Sequence, residues 1–124
     1  MSMRLFSVAL AGALVAACAT RLPSTSFAEP TSLERAIERY YAAHASEEYY
    51  CQMPYIDGLT QVAVVDSQPD RLVVDVRYLY RDRFKSDGGD TGSNGCIGYA
   101  GRRFTLGKGP AGGVEVLEMT GPQH

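Results

Sequence analysis

Between Arg71 and Asp82 the side chains alternate: Leu72, Val74, Val76, Tyr78 and Tyr80 occupy one set of positions, and Val73, Asp75, Arg77, Leu79 and Arg81 the other. A period of two belongs to an extended chain whose successive side chains point to opposite faces, so this segment predicts a strand with one dry and one wetter face. A strand of that kind must pair with others and be covered on its dry side. Leu59 to Val65 is the expected hairpin partner, joined through Asp66-Ser67-Gln68-Pro69-Asp70, which keeps the proline outside either strand. Ile97 to Leu106 and Val114 to Met119 supply two further strands around the glycine-rich stretch from Gly107 to Gly113.

Upstream the period is helical. Leu33, Ala36, Ile37, Tyr40, Tyr41 and His44 recur every three or four residues, while Glu34, Arg35, Glu38 and Arg39 fall mainly elsewhere. A helix over about 32–47 is predicted, with Thr31-Ser32-Leu33-Glu34 as a capping box at its start. Tyr49-Tyr50-Cys51, followed by Pro54, reads as its exit. One helix followed by four strands with short connections gives an α+β fold with antiparallel neighbours. This order resembles the helix-on-curved-sheet layout of cystatin-like and nuclear-transport-factor-like domains, which implies one N-terminal amphipathic helix packed on a curved four-stranded antiparallel sheet. The resemblance is of element order alone and carries no function.

The first residues have a different character. Arg4 precedes an apolar run from Leu5 to Ala17 that ends at Cys18. About thirteen apolar residues suit a secretory signal better than a permanent span, which needs roughly twenty. Val15-Ala16-Ala17-Cys18 resembles the lipobox of bacterial lipoproteins, and that resemblance implies cleavage before Cys18 and lipidation of its thiol. Several acyl chains, each buried methylene contributing about 0.8 kcal/mol, would then hold the domain on a bilayer. Ala17 and Ala19 also fit the A-x-A site of ordinary signal peptidase, which would release a soluble periplasmic or secreted protein. Ala19 and Thr20 follow the cysteine without an aspartate, which in the lipoproteins it resembles favours the outer membrane, with the domain facing the periplasm. The expected organisation is a signal peptide over 1–17, the lipidated cysteine and a flexible tether over 18–30, the α+β domain over 31–121, and a tail over 122–124 that ends in a frayed His124.

Removal of the leader from the 124-residue chain leaves about 107 residues, enough for one core and too few for two. The formal net charge of -2 becomes -3 once Arg4 is lost, which speaks against general binding of nucleic acid. With Cys18 assigned to lipid, Cys51 and Cys96 form an even pair in an oxidising compartment and are expected to be disulfide-bonded.

The remaining candidates are weaker. Asp87 to Asn94 is rich in oxygen donors and glycine, but its spacing fails the calcium-loop pattern and a solvated hairpin loop fits it better. His44 lies on the tyrosine-rich helix face, where packing at the core or its rim is expected. Arg77, Arg81, Arg83 and Lys85 on the second strand and its exit, with Arg102 and Arg103 on the third, make one cationic cluster. Of these, Arg77, Arg81, Arg102 and Arg103 are candidates for contact with an anion or a partner, set against plain cross-strand pairing with Asp75, Asp82 and Glu118. No cofactor, metal or catalytic residue is implied. The expected function is a non-enzymatic binding or scaffolding domain, anchored to a membrane through its lipid and contacting an envelope protein or glycan. One alternative is a small ligand-binding or enzymatic domain with Tyr40, Tyr41, His44 and Tyr78 around a pocket; another is a secreted hydrolase inhibitor.

Overall fold

The computed structural model describes residues 19–47, 51–83 and 96–124. The leader with Cys18, the Tyr49-Tyr50 pair, Lys85 and the Asp87–Asn94 loop lie outside the described residues. Helix α1 spans Pro30–His44, and strands β1 (Pro54–Gln68), β2 (Arg71–Asp82), β3 (Ile97–Lys108) and β4 (Val114–Met119) follow it. The strands form one antiparallel sheet in the order β1-β2-β3-β4. The architecture is α+β, with α1 packed on one face of the open sheet.

The core lies between them. Leu33, Ile37 and Tyr41, spaced three to four residues apart on α1, meet Leu72, Val74, Val76 and Tyr78 from β2 and Phe104 and Leu106 from β3. Each of these is at most 1% exposed, and Val62, Val116 and Met119 complete the layer from the edge strands. The alternation in β2 thus becomes two faces, as its period requires.

Strand β3 runs two residues past the expected Leu106 to Lys108, and four larger differences from the expectation of the sequence accompany it. The helix begins at Pro30, with Glu29 as its N-cap and no side-chain cap, so Thr31 and Ser32 lie inside the first turn and form no capping box. Proline at the first position sets φ for a helix and lacks the amide that a cap would satisfy. The helix ends at His44, not near 47, because Ala45 is extended and pairs with Gln123. Strand β1 starts at Pro54 and runs to Gln68, leaving Pro69 and Asp70 as the turn. Its register shifts at three places, between Ile56 and Gly58, Leu59 and Gln61, and Val64 and Asp66. Each extra residue flips the faces, which erased the period of two from the sequence, and Pro54 is tolerated as the first residue of an edge strand.

The fourth difference is at the ends. The segment 19–29, expected as a tether, packs on the domain: Leu22 is 4% exposed within the core, Ala19 O accepts from Val62 N at 2.6 Å, and Ser26 Oγ donates to Pro69 O at 2.7 Å. The helix is therefore not the first packed element. His124 is not frayed either, since its backbone N–H donates to His44 O at 2.9 Å and Nδ1 lies 3.2 Å from Ser46 Oγ. Gly121 turns the chain into this strap with φ at +88°, a left-handed conformation that only glycine adopts without strain.

Candidate functional site

Arg102 follows Gly101 on β3 and, by the same period of two that sends Arg103 outward, points into the helix-covered face. It is 5% exposed. Its Nε donates to Tyr78 Oη at 2.8 Å, Nη1 to Thr120 O and Pro122 O at 2.8 and 2.9 Å, and Nη2 to Ser46 O at 2.9 Å. Glu47, just past the helix, closes the cluster: Oε1 accepts from Tyr78 Oη at 2.6 Å and Tyr41 Oη at 2.8 Å, and stands 3.3 Å from Arg102 Nη2. The guanidinium also lies 5.6 Å from the Tyr41 ring centroid, within cation–π range. Burial, followed by the hydrogen bond to the Glu47 carboxylate, holds both tyrosine hydroxyls far above their usual range of ionisation.

This cluster is saturated, and no buried side-chain polar atom among the described residues lacks a partner. It joins the helix exit, β2, β3 and the C-terminal strap through one cation. Its chemistry is that of a structural latch: a buried charge is tolerated when paired and fully hydrogen-bonded. Arg102 is accordingly corrected from a candidate partner contact to an interior residue. Tyr41 and Tyr78 have no exposed surface, while Tyr40 packs half-buried at the rim of the core with its ring tilted against that of His44, centroids 4.3 Å apart. The structure does not bring these four together around a cavity. Tyr40 instead lines an open groove of about 580 Å³ between α1 and β4, with Arg35, Arg39, Val114 and Glu115.

The other three arginines lie on the sheet face opposite α1, which no described helix covers, and two are engaged there. Arg81 Nε donates to Asp57 Oδ2 at 2.8 Å, and Arg103 grips Asp75 with Nε and Nη2 at 2.8 and 3.0 Å. That fork holds the Asp75 carboxyl below its ordinary range. Asp75 and Arg103 face each other across β2 and β3, whereas Arg77 is exposed opposite Gly101. In the same register Tyr99 sits opposite Leu79 and Ile97 opposite Arg81. Tyr99 is 68% exposed and Ile97 48%. An exposed apolar and aromatic ladder flanked by two ion pairs therefore crosses this face.

Cys51 and Cys96 are disulfide-bonded with Cα atoms 4.9 Å apart. The bridge joins the residues that precede β1 and β3, and so passes over the end of β2. Asp82 reinforces that end by accepting from the backbone amides of Gln52 and Met53 at 3.1 and 2.8 Å. Among the described residues no group of three His, Cys, Asp or Glu side chains could hold a metal, and no helix is long and apolar enough to cross a membrane.

Glu47 and Tyr99 were not singled out in the sequence. A signal existed for Glu47: the set Gly98, Ala100, Arg102, Phe104 and Leu106 alternates with the outward set, so one arginine in a dry series requires a buried acceptor. Its identity depended on which loop closed over β3.

No protein-family model, no curated protein and no solved structure matches the chain.

Proposed function

We propose that this chain is a lipid-anchored envelope protein whose α+β domain, cystatin-like in layout, acts without catalysis as a binding or scaffolding module. Lipid on Cys18 anchors it in the outer membrane facing the periplasm, as the lipobox resemblance implies. The observation that carries the binding role is the uncovered sheet face, where Tyr99 and Ile97 stand exposed between the Arg81–Asp57 and Arg103–Asp75 pairs. Aromatic side chains and arginines are the groups enriched in protein interfaces, because they bury large areas with little loss of rotamer freedom and retain polar contacts at their tips. The opposite face is filled by α1 and its hydroxyls and guanidinium are spent on one another, whereas the outer face carries exposed aromatic and apolar side chains beside its arginines. The partner is an envelope protein or glycan, with Arg77, Arg81 and Arg103 at its polar rim.

A photocrosslinking phenylalanine analogue placed at position 99 in cells, with the same probe at Ser67 as control, tests this reading. A defined adduct from position 99 that disappears in the Arg77→Ala, Arg103→Ala double variant supports it. Identical adduct patterns from both positions would remove it. Fatty-acid labelling of wild type and Cys18→Ser tests the anchor separately.

A further inference from the structure

We propose that the free edge of β1 rests on the bilayer, with Val64 and Val65 as its membrane contact. The inference rests on lipidation of Cys18 as proposed above. A flexible tether of about twelve residues would let the domain wander roughly 20 Å from its anchor in any orientation. The structure removes that slack. Ala19, the residue bonded to Cys18, forms an antiparallel bridge to Val62 on the edge of β1 that faces away from β2. Leu22 is buried in the core three residues later, and Ser26 is tied to Pro69. The anchoring thioether thus belongs to a residue whose Cα is only about 3.8 Å from that of a strand-bridged neighbour.

The sense of the bridge supplies the direction. Because the pairing is antiparallel, the backbone at Ala19 has its N-terminal end directed toward Val64 and Val65. Those two valines are 47% and 46% exposed, adjacent on the edge strand, and Val65 is the extra residue of a register shift, which turns it out of the ladder. Two exposed apolar side chains beside a multiply acylated residue have one nearby apolar phase to enter. Unpaired strand-edge amides and carbonyls cannot enter hydrocarbon, so the contact is shallow: the valines reach the acyl boundary while the backbone stays among the headgroups. Asp66 follows immediately, its carboxylate taken by the Gln68 side-chain amide at 3.0 Å, and marks the polar limit of the patch. The opposite edge, β4, lies three strands away, roughly 14 Å across the sheet, and carries the exposed Leu117. This orientation stands the sheet on its β1 edge and leaves the Tyr99 face open to the periplasm.

The chain contains no tryptophan, so Val65→Trp and Leu117→Trp each give a single emitter. Both full-length proteins are matured in cells, purified with their acyl chains, and reconstituted in vesicles of phosphatidylcholine or of its acyl-brominated analogue. Intact mass reports acylation and circular dichroism reports folding. For acylated, folded protein the expected result is a loss of roughly half the Val65→Trp emission in brominated vesicles, with little change for Leu117→Trp. Equal quenching at the two positions on acylated protein overturns the orientation while the anchor stands, as does protection of both, which would mean that a second copy or a partner segment covers the edge. Absence of acyl mass overturns the anchor and the orientation with it. Insertion of about twelve Gly and Ser residues between Cys18 and Ala19 should abolish the contrast without altering the acyl mass.

Discussion

Arg102 on β3 and Tyr78 on β2 are joined by a 2.8 Å hydrogen bond from Nε to Oη, two residues out of direct register on the same face, and through it the sheet is locked to the helix exit by way of Glu47. Three backbone carbonyls, those of Ser46, Thr120 and Pro122, have the same guanidinium as donor.

Replacement of that cation leaves a buried carboxylate without its counter-charge and three carbonyls without a donor. Arg102→Met is expected to lower stability by about 3–5 kcal/mol, the scale of breaking one partner of a buried pair. Glu47→Gln keeps an acceptor for the tyrosines and should cost less, about 1–2 kcal/mol. Urea unfolding of the purified domain separates the two; a loss below about 1 kcal/mol for Arg102→Met would show that the cluster does not hold the strap.

Alkaline conditions should act on the same cluster. Tyr41 and Tyr78 ionise in the folded protein at higher pH than in the unfolded chain, where a tyrosine titrates near 10. The folded state therefore retains protons that the unfolded chain gives up. Stability from this source is complete below pH about 10 and falls above it, by up to about 1.4 kcal/mol per pH unit for each tyrosine. Tyr41→Phe and Tyr78→Phe should each flatten the fall; unfolding midpoints measured between neutral pH and about 11 would show an unchanged slope if the hydroxyls were free in solution.

The Cys51–Cys96 bridge closes a loop with a sequence separation of 45 and fixes the ends of β1 and β3 relative to each other. For a domain of this size Cys51→Ser is expected to cost about 2–5 kcal/mol, in part through the wider unfolded ensemble. Thiol titration of denatured protein starting at Thr20 and isolated from the periplasm should find no free thiol. Two free thiols would contradict the bridge.

Leu22 lies outside the helix and strands yet is 4% exposed within the main core. Leu22→Ala should destabilise by about 2–3 kcal/mol, within the usual range for a buried leucine. A free tether predicts a change within about 0.5 kcal/mol. Chemical denaturation of protein beginning at Cys18 decides between these values, and the lower one would also weaken the edge-on orientation at the membrane.

The sequence by itself determined the class of the fold and the faces of its regular elements. A helix whose apolar residues recur every three or four positions and a β2 strand whose residues alternate have their inner sides set by backbone geometry, and β4 was bounded correctly for the same reason. The oxidised pair Cys51–Cys96 was likewise legible from the cysteine count once Cys18 was set aside. Tertiary structure decided what lacks a local period. Three register shifts in β1 hid five residues at its start and three at its end. Leu22, a lone apolar residue among prolines and hydroxyls, had no pattern to show that it enters the core. The arginines divided on the same principle: Arg102 and Arg103 are neighbours in the chain and so point to opposite faces, but which face the helix covered, and that Glu47 would be there to receive Arg102, followed only from the packing of segments distant in sequence.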